Sequence, residues 1–544
     1  MSSPGQWSAV AIGIVAVLLS FGVLYVPGLF KKYLVLGNLP TPRPYHLAML
    51  GDILSHIVLA MTLIGILTAI QWHSLFPGLR DYLVLAAFPI RLRDIFVAKF
   101  TALLVFAVLL IGSTTLPASV LLPMVFAGKY AGHVQAQIPA LFVSASAAAL
   151  FVFFCLVAVQ GVLLNTVPVR HFGRVSLAAQ GILLTVLLCG MPLMFSLLTP
   201  GAIDRPPRWT IWLPPAWFLG LDQVLAGSSD ALAVRLAQFA AGAFVGGASA
   251  AVGSYWWGYK RHRMRLVEAV TPAPSPARRS AGAVAAERMN RDPRQLAVFA
   301  FVAKTLARSP LQRMVLTAFV AIAAALICNS FAGLFLSHGH GGSTWATRAL
   351  RQAAIAAPLA LSLFVLSGLR YLFRLPVEHR ANWIFRINQA GNRLLFLAGV
   401  ERFVLCCGVA PVALLTLPLE VRLLGVGAGI AAAALCLLPS LILMEVFLGQ
   451  SLRIPFTSSY LPGQRPVVEL LLIYGAAISL YVSSLAAIIE RCVNDAVKVL
   501  LLSGVLLAAW LMVRRARRER MESGSLEFEE LAEPAVFSLG LDPE

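Results

Sequence analysis

Charge is what this chain has least of. Charged side chains make up 12% of its 544 residues, about half the share of an ordinary soluble domain. Acids are scarcer still: 24 Asp and Glu stand against 43 Lys and Arg, a formal net charge of +19. So little charge excludes a soluble globular chain. The surplus of positive sign does not indicate a nucleic-acid binder, because the basic residues are scattered between apolar runs instead of gathered on one polar domain.

Catalytic and metal-binding patterns are missing too. No G-x-x-x-x-G-K-[ST] occurs, so nothing cradles phosphates in the P-loop manner. No G-x-S-x-G or H-E-x-x-H occurs either. The seven cysteines, Cys155, Cys189, Cys328, Cys406, Cys407, Cys436 and Cys492, show no CxxC or Cys/His ligand spacing, which argues against disulfides and a zinc site. Within apolar runs they serve as small hydrophobes. The sole histidine cluster, His338 and His340 in a Gly-rich stretch, has no carboxylate or cysteine beside it and reads as a polar loop. The expectation is a chain that is not an enzyme and holds no cofactor or metal of its own.

What fills the sequence is apolar: 59% of residues, with a mean hydropathy of +0.82. Such a chain uses lipid as its solvent, and apolar runs of about 20 residues then read as helices that satisfy their own backbone hydrogen bonds. Twelve runs qualify: Ser8–Val26, Leu50–Ile70, Thr101–Leu122, Ile138–Leu164, Val175–Leu198, Leu236–Trp257, Met314–Leu336, Ala353–Leu369, Phe403–Leu419, Leu423–Phe447, Val467–Ile488 and Val497–Met512. The first lacks a basic leader and a small-residue cleavage site, and reads as a span and not a secretory signal. The ninth is short, contains Pro411, and is joined to the tenth by Glu420-Val421-Arg422, read as a loop.

An even number of spans puts both termini on one side. With both in the cytoplasm, 31 of the 43 Lys and Arg fall in inner segments, as the positive-inside rule favours. Lys31, Lys32 and Arg43, in an outer loop, are the local exception. The expected fold is an all-α polytopic membrane protein of about twelve transmembrane helices, in two six-helix halves, residues 1–259 and 312–513. Residues 260–311 form a cytoplasmic linker. Its TPAPSPARRS stretch is flexible, and Asp292-Pro293 opens an amphipathic interfacial helix over 293–309, with Leu296, Phe299, Val302, Ala303 and Leu306 at helical spacing. Residues 514–544 are a cytoplasmic tail whose RRARRER run is expected to pin the last span to the lipid surface.

Two charged amphipathic inserts break the pattern, residues 73–100 after the second span and 370–403 after the eighth. They share a P-[IV]-x-x-R spacing, Pro89-Ile90 with Arg93 and Pro376-Val377 with Arg380, which together with the six-plus-six layout suggests a duplicated unit. Inserts of this kind can be interfacial helices that meet only headgroups. The doubled placement favours contact with a protein partner through Arg80, Asp81, Pro89, Arg91, Arg93 and Asp94 in the first, and Arg374, Pro376, Arg380, Trp383 and Phe385 in the second. Within the spans, Asp52, Glu445 and Arg235 read as interfacial, and Gln160, Asn165, Gln180 and Asn329 as links between helices.

The layout of both halves resembles the transmembrane subunits of type-2 ABC exporters, the ABC-2 permease family. LRDYLVLAAFPIRLRDIFVAKF looks like that family's coupling-helix region, the segment 200–230 with Trp212, Pro214, Pro215, Trp217 and Phe218 looks like its outer re-entrant region, and the helix before the seventh span looks like its connecting helix. Two features depart from the family: no such helix precedes the first span, and the outer loop near Ile489–Ala496 is too short for re-entrant helices. The resemblance implies an exporter permease in the inner (cytoplasmic) membrane, driven by two copies of a separate ABC ATPase that would carry ATP and magnesium. Membrane lipids are the other expected partner, and nucleic acid is not one. The sparse charge in the spans leans toward a lipid or hydrophobic substrate. Two alternatives stand beside this reading: a twelve-helix ion-coupled carrier, whose G-x-x-x-D-R-x-G-R motif FPGLRDYLVL does not match, and a non-catalytic scaffold.

Overall fold

The computed structural model describes residues 26–72, 75, 92–127, 134–197, 208–270, 292–337, 343–375, 385, 387, 393–449, 454–457 and 478–523. Helices account for nearly all of them, and no strand occurs among the described residues. Ten helices are long and apolar enough to cross a membrane. The chain is therefore a multi-pass α-helical membrane protein. The ten coincide with ten of the twelve apolar runs; Ser8–Val26 and most of Val467–Ile488 lie outside the described residues.

Contacts divide the chain into residues 1–273 and 274–544. The first unit holds α1 (Val26–Gly37), α2 (Arg43–Ile70), α3 (Leu92–Val125), α4 (Val134–Thr166), α5 (Val169–Leu197), a short 3-10 turn (Arg208–Trp212), α6 (Pro214–Leu225) and α7 (Ala231–Val270). Its centre is α4, which packs on α2, α3, α6 and α7. One apolar cluster gathers Ile64, Trp72, Leu110, Phe153 and Val157; another gathers Tyr45, Ile57, Phe126, Leu141 and Phe218. The short α6 lies against α4 and α7, with Trp217 donating from Nε1 to the Ile211 carbonyl at 2.6 Å.

The second unit holds α8 (Pro293–Arg308), α9 (Pro310–Ser337), α10 (Ser343–Phe373), α11 (Arg393–Val404), a π-helical segment (Leu405–Val409), α12 (Ala410–Leu424), α13 (Val426–Leu448), a second π segment (Ile478–Ser484), α14 (Leu485–Cys492) and α15 (Ala496–Ser523). Here α10 is central, buried along nearly its whole apolar length and packed on α9, α12, α13 and α14. By contrast α15 leaves Val497, Leu500, Leu501, Val505 and Met512 exposed, a face whose natural solvent is lipid.

Three boundaries correct the sequence reading. The helix of the sixth span does not stop at Trp257 but runs to Val270 through the KRHRMR stretch, and the last runs to Ser523 through RRARRER. Neither basic run contains a Gly or Pro to end a helix. Glu420-Val421-Arg422 is no loop: it belongs to α12, which ends at Gly425 with φ +90. That backbone conformation suits glycine, and it lets α13 fold back so closely that a β-carbon at Gly429 would stand 2.6 Å from the Val421 Cα.

Candidate functional site

The inserts cannot move the spans unless their roots are firm, so the geometry at each root matters. In the first unit, α2 ends in a polar clamp. Trp72, fully buried, donates from its indole to Ser176 Oγ at 2.8 Å. Gln160 donates to the Trp72 carbonyl at 2.6 Å and Gln180 to the Ala69 carbonyl at 2.7 Å. The last carbonyls of a helix have no partner within it, and here α4 and α5 supply side-chain donors for two of them. The link-making role expected of Gln160 and Gln180 is what the structure shows; Asn165 joins α4 to α7 in the same way through the Ser254 carbonyl at 3.2 Å.

In the second unit the root is aromatic and ionic. Helix α8 starts as its sequence demands: Asp292 accepts from the Arg294 N–H at 2.8 Å, and Pro293 takes the first helical position. Its apolar face is covered by α11 instead of resting on lipid alone. Val298, Phe299 and Val302 are buried against Phe396, Val400 and Phe403, and the Phe299 and Phe403 rings meet edge-on at 5.6 Å. The approach requires Gly399, where a β-carbon would stand 2.7 Å from the Gln295 carbonyl oxygen. Phe385, within the insert, has its ring 5.3 Å from Phe301 of α8 and 5.8 Å from Phe396 of α11. At the end of α10, the Phe373 carbonyl accepts from the Phe456 N–H at 3.2 Å while their rings cross at 88°.

Behind these rings lies an ion cluster. Arg517 of α15, 5% exposed, donates to Glu445 of α13, 1% exposed, and to Glu401 of α11 at 3.2 Å. Arg514, one turn earlier, lies 3.7 Å from Glu401 and 4.0 Å from Glu445, with its guanidinium over the Trp510 ring. Two expectations change here. Glu445 is buried and paired, not interfacial, and part of the RRARRER run faces protein, not headgroups. Asp52 is likewise 7% exposed and accepts from Lys32 at 2.8 Å and from the Tyr33 hydroxyl at 2.6 Å, while Arg235 is exposed. The i, i+3 spacing of Arg514 and Arg517, which puts both on one helix face, was the sequence signal for the cluster.

Of the residues expected to meet a partner, Asp94 is exposed in the first turn of α3, whose second residue is Arg93, and Arg374 is exposed just past α10. Phe385 is half-buried, holding α8 and α11 together. Arg80, Asp81, Pro89, Arg91, Pro376, Arg380 and Trp383 lie outside the described residues.

One buried acid went unnoticed in the sequence because it was assigned to a loop. Glu420 is fully buried near the opposite end of α12, and neither carboxyl oxygen has a hydrogen-bond partner. It lines a cavity of about 10 Å3 with Thr416, Cys436 and Ser440. In the first unit, Asp222 of α6, 4% exposed, accepts from Ser144 at 3.2 Å; burial pushes its carboxyl up to about 7 against the lowering effect of that hydrogen bond. No group of three or more metal-ligating side chains occurs among the described residues. Comparison with protein-family models, with curated proteins and with solved structures finds no match.

Proposed function

We propose that this chain is the membrane-spanning permease subunit of an ATP-driven ABC exporter, with both termini in the cytoplasm and ATP hydrolysis on a separate pair of ATPase subunits. In this reading it sits in the inner membrane, and the ATPases press on the inserts at 73–100 and 370–403. The halves then alternate access to a pathway for a lipid or hydrophobic compound. The observation that carries the reading is the root of the second insert. Phe385 and Gly399 seat it on α8, and the Glu401–Arg517–Glu445 cluster ties α11 to α13 and α15. Force applied to such an insert passes to two spans instead of being absorbed by a hinge. Affinity purification of the full chain from native membranes in mild detergent is expected to recover a P-loop ATPase, and reversing charge at Arg91 and Arg93 to Glu to weaken that recovery. Purification that retains lipid yet yields no ATPase, together with transport that survives ATP depletion, refutes the proposal.

A further inference from the structure

We infer that Glu420 is a proton-binding site, its carboxyl holding a proton in this conformation beside a cavity through which that proton exchanges. The inference rests on the surroundings of Glu420 and holds whichever energy source works the inserts.

The side chain has no accessible surface and both oxygens lack a hydrogen-bond partner. A carboxylate held that way would be a bare charge in a low-dielectric interior, and buried groups escape such a state by taking up a proton. Nothing around Glu420 offers the other escape. The nearby hydroxyls have already committed their protons to their own helices: Thr416 donates to the Val412 carbonyl at 3.0 Å, Ser440 to Cys436 at 2.9 Å and Ser362 to Leu359 at 3.0 Å. The titratable groups that face this region are Cys436 from α13, whose thiol donates to the Ile355 carbonyl at 3.7 Å, and Tyr481 from the second π segment, beside Ser362 and Ser440. From α10 come Pro358 and Ser362, which do not titrate. No cation among the described residues forms an ion pair with Glu420, and Arg422 is exposed.

A metal cation fits less well than a proton. Hard cations take about six or more oxygen ligands. Here the wall is mostly apolar, with Pro358, Val412, Ala413 and Leu437, and besides the carboxyl only Thr416 and Ser440 bring side-chain oxygens. The cavity, about 10 Å3, is the size that admits a single water, which suffices to relay a proton.

Difference infrared spectroscopy on the purified full-length protein in lipid vesicles, wild type against Glu420→Gln, tests this. At neutral pH the wild type is expected to show one carbonyl-stretching band of a protonated carboxylic acid that the variant loses. The band should vanish only on alkaline titration, and stay unchanged when sodium replaces a bulky organic cation at fixed pH. Glu420→Asp should retain a band, shifted in frequency. A wild-type spectrum without the band overturns the inference, and so does a band that sodium removes at constant pH, which would make the site one for a metal ion. Glu420→Gln copies the neutral acid and should melt no lower than wild type; a variant that fails to fold would mean that the charged form is the native one.

Discussion

Arg517→Met puts the ion cluster to its most direct test. In the native protein Arg517 and Glu445 are 5% and 1% exposed, so each is desolvated and depends on the other. Removing the guanidinium leaves Glu445 with Arg514 alone, at 4.0 Å on a half-exposed side chain. Breaking a buried pair from one side costs about 3–5 kcal/mol, because the surviving charge has no water to return to. The opposite change, Glu445→Gln, is milder: Arg517 keeps Glu401 at 3.2 Å, and the loss should be roughly 1–3 kcal/mol, that of a charge-assisted hydrogen bond. The double variant Glu445→Leu/Arg517→Met removes both charges and should recover most of the stability, since buried ion pairs seldom outperform well-packed apolar residues. Thermal unfolding in detergent, followed by tryptophan fluorescence, reads all three. For a unit of this size the melting temperature of Arg517→Met should fall by roughly 6–20 °C, at about 2–4 °C per kcal/mol. Added salt should change these differences little, as burial limits screening. Equal losses for Arg517→Met and Glu445→Gln, or a double variant worse than either single one, would refute the reasoning.

Other outcomes follow from the same geometry. Gly399→Val drives a side chain into the Gln295 carbonyl, so α8 must lift from α11 at a cost of about 1–3 kcal/mol; faster hydrogen exchange confined to 293–308 would register it. Trp72→Phe keeps most of the buried ring but forfeits the hydrogen bond to Ser176, for a loss of about 1 kcal/mol seen as a lower melting temperature. Asp222 holds its proton more tightly in the folded chain, up to about 7, than at its ordinary value near 4. Its contribution to stability is full below about pH 4, declines as pH rises to 7 and is flat above, and Asp222→Asn should abolish that slope in a melting-temperature series. Alanines at Arg91 and Arg93 should impair activity unequally with alanines at Arg374 and Arg380, because the inserts differ in length and charge order; equal losses in a transport assay would count against asymmetric coupling.

The spans were legible because hydropathy alone dictates them: lipid leaves a backbone few alternatives to helix. Helix ends were less legible, for a reason visible at Trp257 and Met512. Charge was read as the end of a helix, whereas a helix ends where backbone chemistry ends it, at Gly425 in α12 or not at all through RRARRER. The same habit hid Glu420, put into a loop because it carries a charge. The capping of α8 by Asp292 was readable from the Asp-Pro pair itself. Which face of the last helix turns inward was not, because pairing Arg517 with Glu445 and Glu401 takes residues separated by 72 and 116 positions, and no local pattern reports that.

The π segment at Leu405–Val409 sets a register. A π bulge carries one residue more than the α-helical turn it replaces, and each residue turns an α-helix by about 100°. Glu401 and Glu420 lie nineteen positions apart, which in an uninterrupted α-helix would leave their side chains about 100° out of phase. With one residue absorbed by the bulge the phase difference closes to about zero, and both acids point toward α13: Glu401 to the cluster at Glu445, Glu420 to the cavity at Cys436 and Ser440. Deleting a single residue from Leu405–Val409 would therefore act as a rotation, not a shortening, turning one end of this helix against the other and parting one acid from its station.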